Sequence, residues 1–354
     1  MSLLKYVPLS AMTNGIQKDV MTHRRNHSLD DGAVVSRDNV CCLKIAVTGG
    51  RGFLGKELIS KLVAQGYEVR ALSRMVPENS SSRVNWYEGD ISSGSIAMLK
   101  DFVTGADVVI HIAGENTDVS VMEKLHVEGT EKLIAACKAE VAHWIQISSC
   151  GVYGPIRSGV VNEDTPLNAQ GIYETTKLKA EQLVWSAAQN GYFTATILRP
   201  SVVYGATMSN ESLRSLIRIV QRKMFFFIGP KQATYNFVHV SDLADVILAS
   251  IDHQGAKNEI FNVSECIQIE KMISLIAASA KVPMPTLRLP EAFARTMVRM
   301  FSFLPGFPLT NSRIDAFIGK ANYSSDKIKR CLNWQPKTSL SAGLVEMIEN
   351  MRDK

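Results

Sequence analysis

The chain has 354 residues, 46% apolar and 21% charged, enough to bury a large core and to build two domains or one domain with a lobe. A formal charge of +5 is small for this length and the basic residues are dispersed among acids, which argues against a nucleic-acid role. Six cysteines (Cys41, Cys42, Cys137, Cys150, Cys266 and Cys331) form no CxxC pair, so zinc and thiol-exchange spacings are excluded, no metal is expected, and reduced thiols in a cytoplasmic compartment are.

Residues 1–42 lack sustained periodicity and mix Lys5, Lys18, Arg24, Arg25 and Arg37 with Asp19, Asp30, Asp31 and Asp38. The mixture predicts a poorly ordered extension. It has no continuous apolar core followed by a small-residue cleavage site, so it does not read as a secretory leader, and its four aspartates disfavour a transit peptide. No stretch of eighteen uncharged apolar residues occurs, so no membrane span is expected.

Leu43 to Val47 reads as a buried strand, and Lys56 to Gln65 as an amphipathic helix. Between them lies Thr48-Gly49-Gly50-Arg51-Gly52-Phe53-Leu54-Gly55. Strand, glycine turn and helix start in that order let backbone N–H groups face a pyrophosphate. Glycine belongs where a Cβ would block the turn, the phosphate or helix–strand packing, and Gly49, Gly52 and Gly55 are so spaced. An ordinary strand-to-helix turn is the competing reading, and the downstream elements decide between them.

Tyr67 to Leu72 predicts the second strand, whose end meets the adenosine ribose in such folds. An acid there would accept from the ribose 2′-OH. This chain has Ser73-Arg74, and a guanidinium suits a 2′-phosphate, so NADP(H) is preferred over NAD(H). Arg51 either adds a second contact to that phosphate or is solvated.

Val84 to Tyr87 predicts a third strand, Ser95 to Phe102 a helix, Ala106 to Ile112 a fourth strand and Val119 to Ala139 a helical stretch. This alternation is the pattern of βαβ units, hence a doubly wound α/β domain with a parallel sheet of Rossmann type. Asp90 either accepts from the adenine amino group, with Ile91 against the ring, or is a turn aspartate. Ala113 and Gly114 are small enough for a cofactor to lie against backbone, whereas His111 reads as a packed strand-end residue.

Ile145 to Gly154 is expected as a fifth strand exposing hydroxyls at its carboxyl end, where open α/β sheets bind ligands. Tyr173 and Lys177 are four apart and share a face if their segment is helical. A phenol titrates near 10 in water. A neighbouring ammonium and a positively charged nicotinamide are expected to lower that value. Ser149 would then hold a substrate oxygen while Tyr173 gives or takes its proton.

Together, Thr48 to Gly55, Ser148 to Gly154, Tyr173 to Lys177, Leu198-Arg199-Pro200 with Val203-Tyr204-Gly205, and Phe237 to Ala244 resemble the extended short-chain dehydrogenase/reductase family, the nucleotide-sugar epimerase/dehydratase superfamily, from about residue 43 to near the C-terminus. The resemblance implies Ser149, Tyr173 and Lys177 as the catalytic triad. It implies that Gly49, Gly52, Phe53, Leu54 and Gly55 approach the pyrophosphate, that Asp90 and Ile91 meet the adenine, that Lys177 also holds the nicotinamide ribose, and that Pro200 to Val203 lie by the carboxamide. It also suggests a homodimer through a helix pair that includes the Tyr173 helix.

Three departures narrow the chemistry. Family dehydratases carry Asp-Glu after the serine or threonine of the fifth strand; here Cys150 and Gly151 stand there, which disfavours dehydration. Tyr235-Asn236 replaces the Arg-Asp of many members that bind nucleotide sugars. His126 replaces the Asn of an Asn-Val-x-Gly-Thr segment, and a packing role is expected for it.

Residues 43–205 and 234–263 are assigned to the cofactor domain, and 206–233 with 264–354 to a smaller substrate lobe. A helix around Leu213, Ile217 and Val220 would place Arg214, Arg218 and Arg222 on its other face, as substrate-diphosphate ligands or, for most of them, solvated side chains. Arg313 and Lys320 are further diphosphate candidates. Phe225 to Phe227 and Phe293 to Leu309 are unusually apolar, reading as lobe packing or as a lid over a hydrophobic substrate. The functional expectation is an NADP(H)-dependent reductase or dehydrogenase acting on a carbonyl or secondary alcohol, with a nucleotide sugar as the substrate the resemblance implies. An epimerase retaining NAD and a noncatalytic NADP-binding subunit are the alternatives.

Overall fold

The computed structural model describes residues 43–78, 81–138, 140–208, 211–303 and 309–352; the extension expected over 1–42 lies outside them. In chain order the first half contains β1 (Lys44–Thr48), α1 (Phe53–Ala64), β2 (Glu68–Ser73), β3 (Val84–Glu88), α2 (Ile96–Val103), β4 (Val108–His111), α3 (Val119–Glu123), α4 (Gly129–Cys137), β5 (His143–Ile147), β6 (Ser158–Val161) and α5 (Ile172–Gln189). The second half contains β7 (Thr194–Pro200), β8 (Val202–Tyr204), α6 (Glu211–Gln221), β9 (Phe227–Ile228), β10 (Thr234–His239), α7 (Val240–Ala249), β11 (Glu259–Val263), β12 (Glu265–Gln268), α8 (Ile269–Ser279), β13 (Arg288–Leu289), α9 (Glu291–Phe301), α10 (Asn311–Ile318), β14 (Lys320–Tyr323), α11 (Asp326–Leu332) and α12 (Leu340–Arg352).

Seven of the strands form one all-parallel sheet in the order β11-β7-β5-β4-β1-β2-β3. Period-two alternation along β1 sends Ile45 and Val47 to one core, with Leu58 and Leu62 of α1 and Leu243 and Ile247 of α7. Ala46 goes to the other core, with Leu99 and Phe102 of α2, Leu133 of α4 and Val184 of α5. Both faces are covered, so the central strands are nearly uniformly apolar. Strand order reverses at β1, so the connections leaving the carboxyl ends of β1 and β4 run to opposite sides and leave a crevice above those ends. Among the described residues no helix is long and apolar enough to cross a membrane.

Several boundaries differ from expectation. The fifth strand ends at Ile147, and Cys150–Tyr153 is a 3₁₀ turn whose N-cap is Ser149, because Ser149 Oγ accepts from Gly151 N–H at 3.0 Å and pulls the backbone out of the sheet. The helical stretch after residue 119 is interrupted by a π-turn over Lys124–Glu128. Residues 234–263, assigned to the cofactor domain, do not all join its main sheet. Only β11 does; β10 pairs instead with β8 and β12 in a separate three-stranded sheet. Arg214 is not on a solvated face: it is buried and its guanidinium donates to Ala206 O at 2.8 Å.

Candidate active site

The crevice at the sheet reversal is a cavity of about 440 Å³. Gly49, Arg51, Gly52, Phe53, Leu54, Ser73, Arg74, Asp90, Ile91, Ala113 and Gly114 all line it. Two observations fit a dinucleotide. Gly49 has φ +71°, and a Cβ there would sit 2.9 Å from both N and Cα of Ala113, so only glycine lets the turn lie against the end of β4. The N-cap of α1 is Gly52, which offers no side-chain acceptor, so the first N–H groups of the helix are left for a ligand anion.

Gly55, Ser149, Tyr173, Lys177, Pro200 and Val203 do not line this cavity. A Cβ on Gly55 would fall 2.2 Å from Gly49 O, so Gly55 lets α1 pack against the turn. Arg51 Nη1 donates to Met75 O at 3.2 Å, which carries its guanidinium across to the end of β2 beside Arg74. Asp90 Oδ1 accepts from Ser92 N at 2.7 Å and Ser92 Oγ at 2.6 Å, so the competing turn role exists, with Oδ2 left over.

Beneath the crevice two buried histidines form a hydrogen-bonded floor. Thr48 Oγ1 accepts from Ile112 N and Ala113 N, both at 3.2 Å, so its hydroxyl proton goes to His111 Nδ1 at 2.7 Å. His111 then donates from Nε2 to Thr130 Oγ1 at 3.0 Å. His126 carries the opposite tautomer: Nε2 accepts from Glu115 N at 2.9 Å, leaving Nδ1–H for Thr176 Oγ1 at 2.8 Å. Burial, then the nearby Lys177 ammonium, pushes both histidines down to about 3, so both are neutral. His111 is the packed strand-end residue that was expected, edge-on to Trp144. His126 does more than fill space, since it ties the loop after β4 to the helix bearing Tyr173.

Tyr173 and Lys177 lie on the first turns of α5, and the Ser149 hydroxyl at the N-cap of the 3₁₀ turn is near enough to Tyr173 to favour its phenolate. The expected lowering of the tyrosine is not what the protein alone produces. Burial, followed by the Glu174 carboxylate, raises Tyr173 to about 12, against which the Ser149 hydroxyl is the smaller effect. Lys177 is fully enclosed, its Nζ donates to Ile147 O at 2.6 Å, and burial lowers it to about 8 although Glu181 opposes that. Glu181 is itself neutralised by Arg199, whose guanidinium also reaches Tyr153 Oη at 2.8 Å.

Sequence reasoning did not single out Glu174. Its side chain folds into space left by two glycines: a Cβ on Gly151 would meet Glu174 Cγ at 2.8 Å and Ser149 Oγ at 3.3 Å, and one on Gly171 would meet Glu174 Oε2 at 1.9 Å. A carboxylate three residues after the N-cap of a helix is the available signal. Glu115 was also missed. It lines the crevice, and bonds from Thr117, chiefly from its hydroxyl, hold it down to about 2. Asn236 is committed elsewhere, joining β10 to β14 through Ala321 O at 2.8 Å and Tyr323 N at 3.1 Å. Arg313 and Lys320 do not line the crevice.

Comparison with known proteins places this geometry. The profile of the NAD dependent epimerase/dehydratase family matches residues 45–264. A 4-hydroxy-2-methyl-3-oxo-4-farnesyl-3,4-dihydroquinoline-1-oxide ketoreductase of Stigmatella aurantiaca is 26% identical over 321 residues, covering 85% of this chain and 95% of its own. A UDP-glucose 4-epimerase of Vibrio cholerae is 25% identical, covering 84% and 92%. Among solved structures, UDP-glucuronic acid 4-epimerase from Bacillus cereus in complex with NAD superposes with a TM-score of 0.68 at 22% identity, covering 88% of this chain and 99% of that one.

Proposed function

The chain belongs to the NAD-dependent epimerase/dehydratase family and is an NAD(P)-dependent enzyme, and from that premise we propose that it is an NADP(H)-preferring reductase or dehydrogenase interconverting a carbonyl and a secondary alcohol, on a nucleotide sugar. What supports the reading is the Ser149 hydroxyl near Tyr173 beside a buried Lys177, whose ammonium lies 3.7 Å from the place a Cβ would take on the crevice-lining Gly114. Ser149 and Tyr173 hold the substrate oxygen between two hydroxyls. Because burial keeps the phenol neutral at pH 7, Tyr173 is a proton donor, the role carbonyl reduction needs. NADPH, when bound, supplies the hydride. Lys177 keeps a positive charge next to the oxygen that gains electron density, and its bond to Ile147 O fixes where that charge stands. The nucleotide-sugar class is supported by the relatives named above that act on UDP-sugars.

Preference for NADP(H) is supported by Ser73-Arg74 in place of an acid and by Arg51 reaching the same loop. A tenfold preference requires only about 1.4 kcal/mol, within reach of one arginine–phosphate pair. Changing Arg74 to Ala is expected to abolish a tighter binding of NADPH than NADH measured by fluorescence titration; an unchanged ratio refutes the role of Arg74. Release and identification of nucleotide from freshly purified protein separates the epimerase alternative, for which stoichiometric NAD is the expected finding.

A further inference from the structure

Charge is unevenly divided along the chain. Segments 212–241 and 271–314 together contain eleven lysines and arginines, among them Arg222, Lys223, Lys281 and Arg299, against a single acid, Glu291, so the rest of the sequence is net acidic. The same segments carry large apolar side chains turned to solvent: Phe303 is 76% exposed, Met224 66%, Leu287 59%, Met300 58% and Phe293 53%, with Met284 beside them in sequence. These positions belong to one part of the fold. Met224 leads into β9, β9 pairs with β13, and Phe227 N–H donates to Leu287 O at 2.9 Å. Helix α9 follows β13 directly and buries Ala294 and Val298 against Ile228 and Ile314, which leaves Phe293 and Met300 on its outer side next to Arg299. Arg214 is buried on Ala206 O, and Arg218, Arg288 and Arg295 are neutralised by Glu211, by Glu270, and by Glu291 with Asp315, so the charge this face presents comes from the exposed Arg222, Lys223, Lys281 and Arg299.

We propose that this face of the lobe is a peripheral docking surface for an anionic lipid bilayer. The choice of occupant follows from charge. A second copy of the same face would bring like charges together, whereas an acidic headgroup layer complements the Lys and Arg excess and accepts Phe, Leu and Met side chains below it. The flexible, unbranched methionines and the phenylalanines suit a fluid acyl boundary, where no shape-matched pocket is needed. This inference does not depend on the reductase reading, because none of these side chains lines the cofactor crevice.

The test is flotation of the full-length protein with vesicles of phosphatidylcholine, with and without phosphatidylglycerol. Binding is expected only to the anionic vesicles and to weaken with added salt. The triple variant Leu287→Ser, Phe293→Ser, Met300→Ser is expected to bind about tenfold or more weakly while its melting temperature stays near that of the parent. The charge-reversal variant Arg222→Glu, Lys223→Glu, Lys281→Glu, which leaves the apolar positions alone, is expected to lose the preference for phosphatidylglycerol. No binding to anionic vesicles, equal binding to neutral ones, or binding unchanged in both variants overturns the proposal. So does a self-associated parent that becomes monomeric in the triple variant while neither protein binds vesicles.

Discussion

On the nucleotide side of the sheet reversal, the shape of the crevice comes from side chains that are missing; on the catalytic side it comes from side chains that are buried. A Cβ on Gly49 or Gly55 would fall 2.9 Å or 2.2 Å from backbone, which cannot move aside. Lys177, His126 and Thr176 are held instead by hydrogen bonds and by exclusion of water, and the half-buried Tyr173 joins them through its backbone carbonyl, which accepts from Thr176 Oγ1. The first construction tolerates almost no added atom but is indifferent to pH. The second tolerates conservative changes of shape and is sensitive to every change of charge, because unpaired charge in a dry site is costly.

Substitutions can break this contrast at its strongest point first. Tyr173→Phe keeps the ring and removes only the proton it transfers. We expect kcat to fall by about 10³-fold with little change in the melting temperature, read by steady-state kinetics and thermal unfolding. Gly55→Ala is the converse. It is expected to cost about 3 kcal/mol of stability by overpacking, seen as a shifted denaturant midpoint, with any folded fraction retaining its pH profile. A tolerated Gly55→Ala would mean that the turn is softer than its contacts indicate.

His126→Gln sharpens the comparison at the junction of the two halves. An amide can donate to Thr176 and accept from Glu115 N, but its reach differs from that of the ring. The expected result is about a tenfold rise in KM for the cofactor with a smaller effect on kcat, since the loop after β4 loosens while the triad stays in place. His126 also makes stability depend on acid. Its native value near 3 lies below its ordinary 6.5, so between these pH values the unfolded chain binds more protons and stability falls as pH drops. A flatter acid limb in urea titrations of His126→Gln checks this.

The smallest expected effects are titration shifts. Above about pH 8 the buried Lys177 loses its proton, and kcat/KM for reduction is expected to decline there instead of near the tyrosine value. Glu174→Gln removes the charge that helps to raise Tyr173, so an ultraviolet titration of the phenol is expected to move to lower pH by less than about one unit. No movement would show that the carboxylate is screened from the phenol.

How much was legible in the sequence followed the same divide. That Gly49, Arg51, Gly52, Ser73, Arg74, Asp90, Ala113 and Gly114 share one crevice was legible because a strand–turn–helix unit is local, and the positions at its carboxyl end stand at fixed offsets from the strand ends. Ser149, Tyr173 and Lys177 were named from spacing and family resemblance, but the direction of the tyrosine shift was not. Local reasoning set an ammonium beside the phenol, whereas Lys177 spends its hydrogen bond on Ile147 O, and burial with Glu174 sets the sign. Arg214 was misread for a similar reason: its helical position is amphipathic, yet Ala206 O, brought in by the preceding loop, captures the guanidinium.

The order and type of most strands and helices in the first half, and the glycine turn at its centre, were determined by residue pattern alone, since period-two and period-3.6 burial and the steric freedom of glycine are properties of short segments. The tautomers of His111 and His126, the seating of Glu174 between Gly151 and Gly171, the departure of β10 to a second sheet and the gathering of basic and exposed apolar side chains around β9, β13 and α9 were decided only by the tertiary structure. Each depends on groups far apart in the chain becoming neighbours in a dry or crowded space, where burial and hydrogen-bond partners, invisible from any one segment, set the outcome.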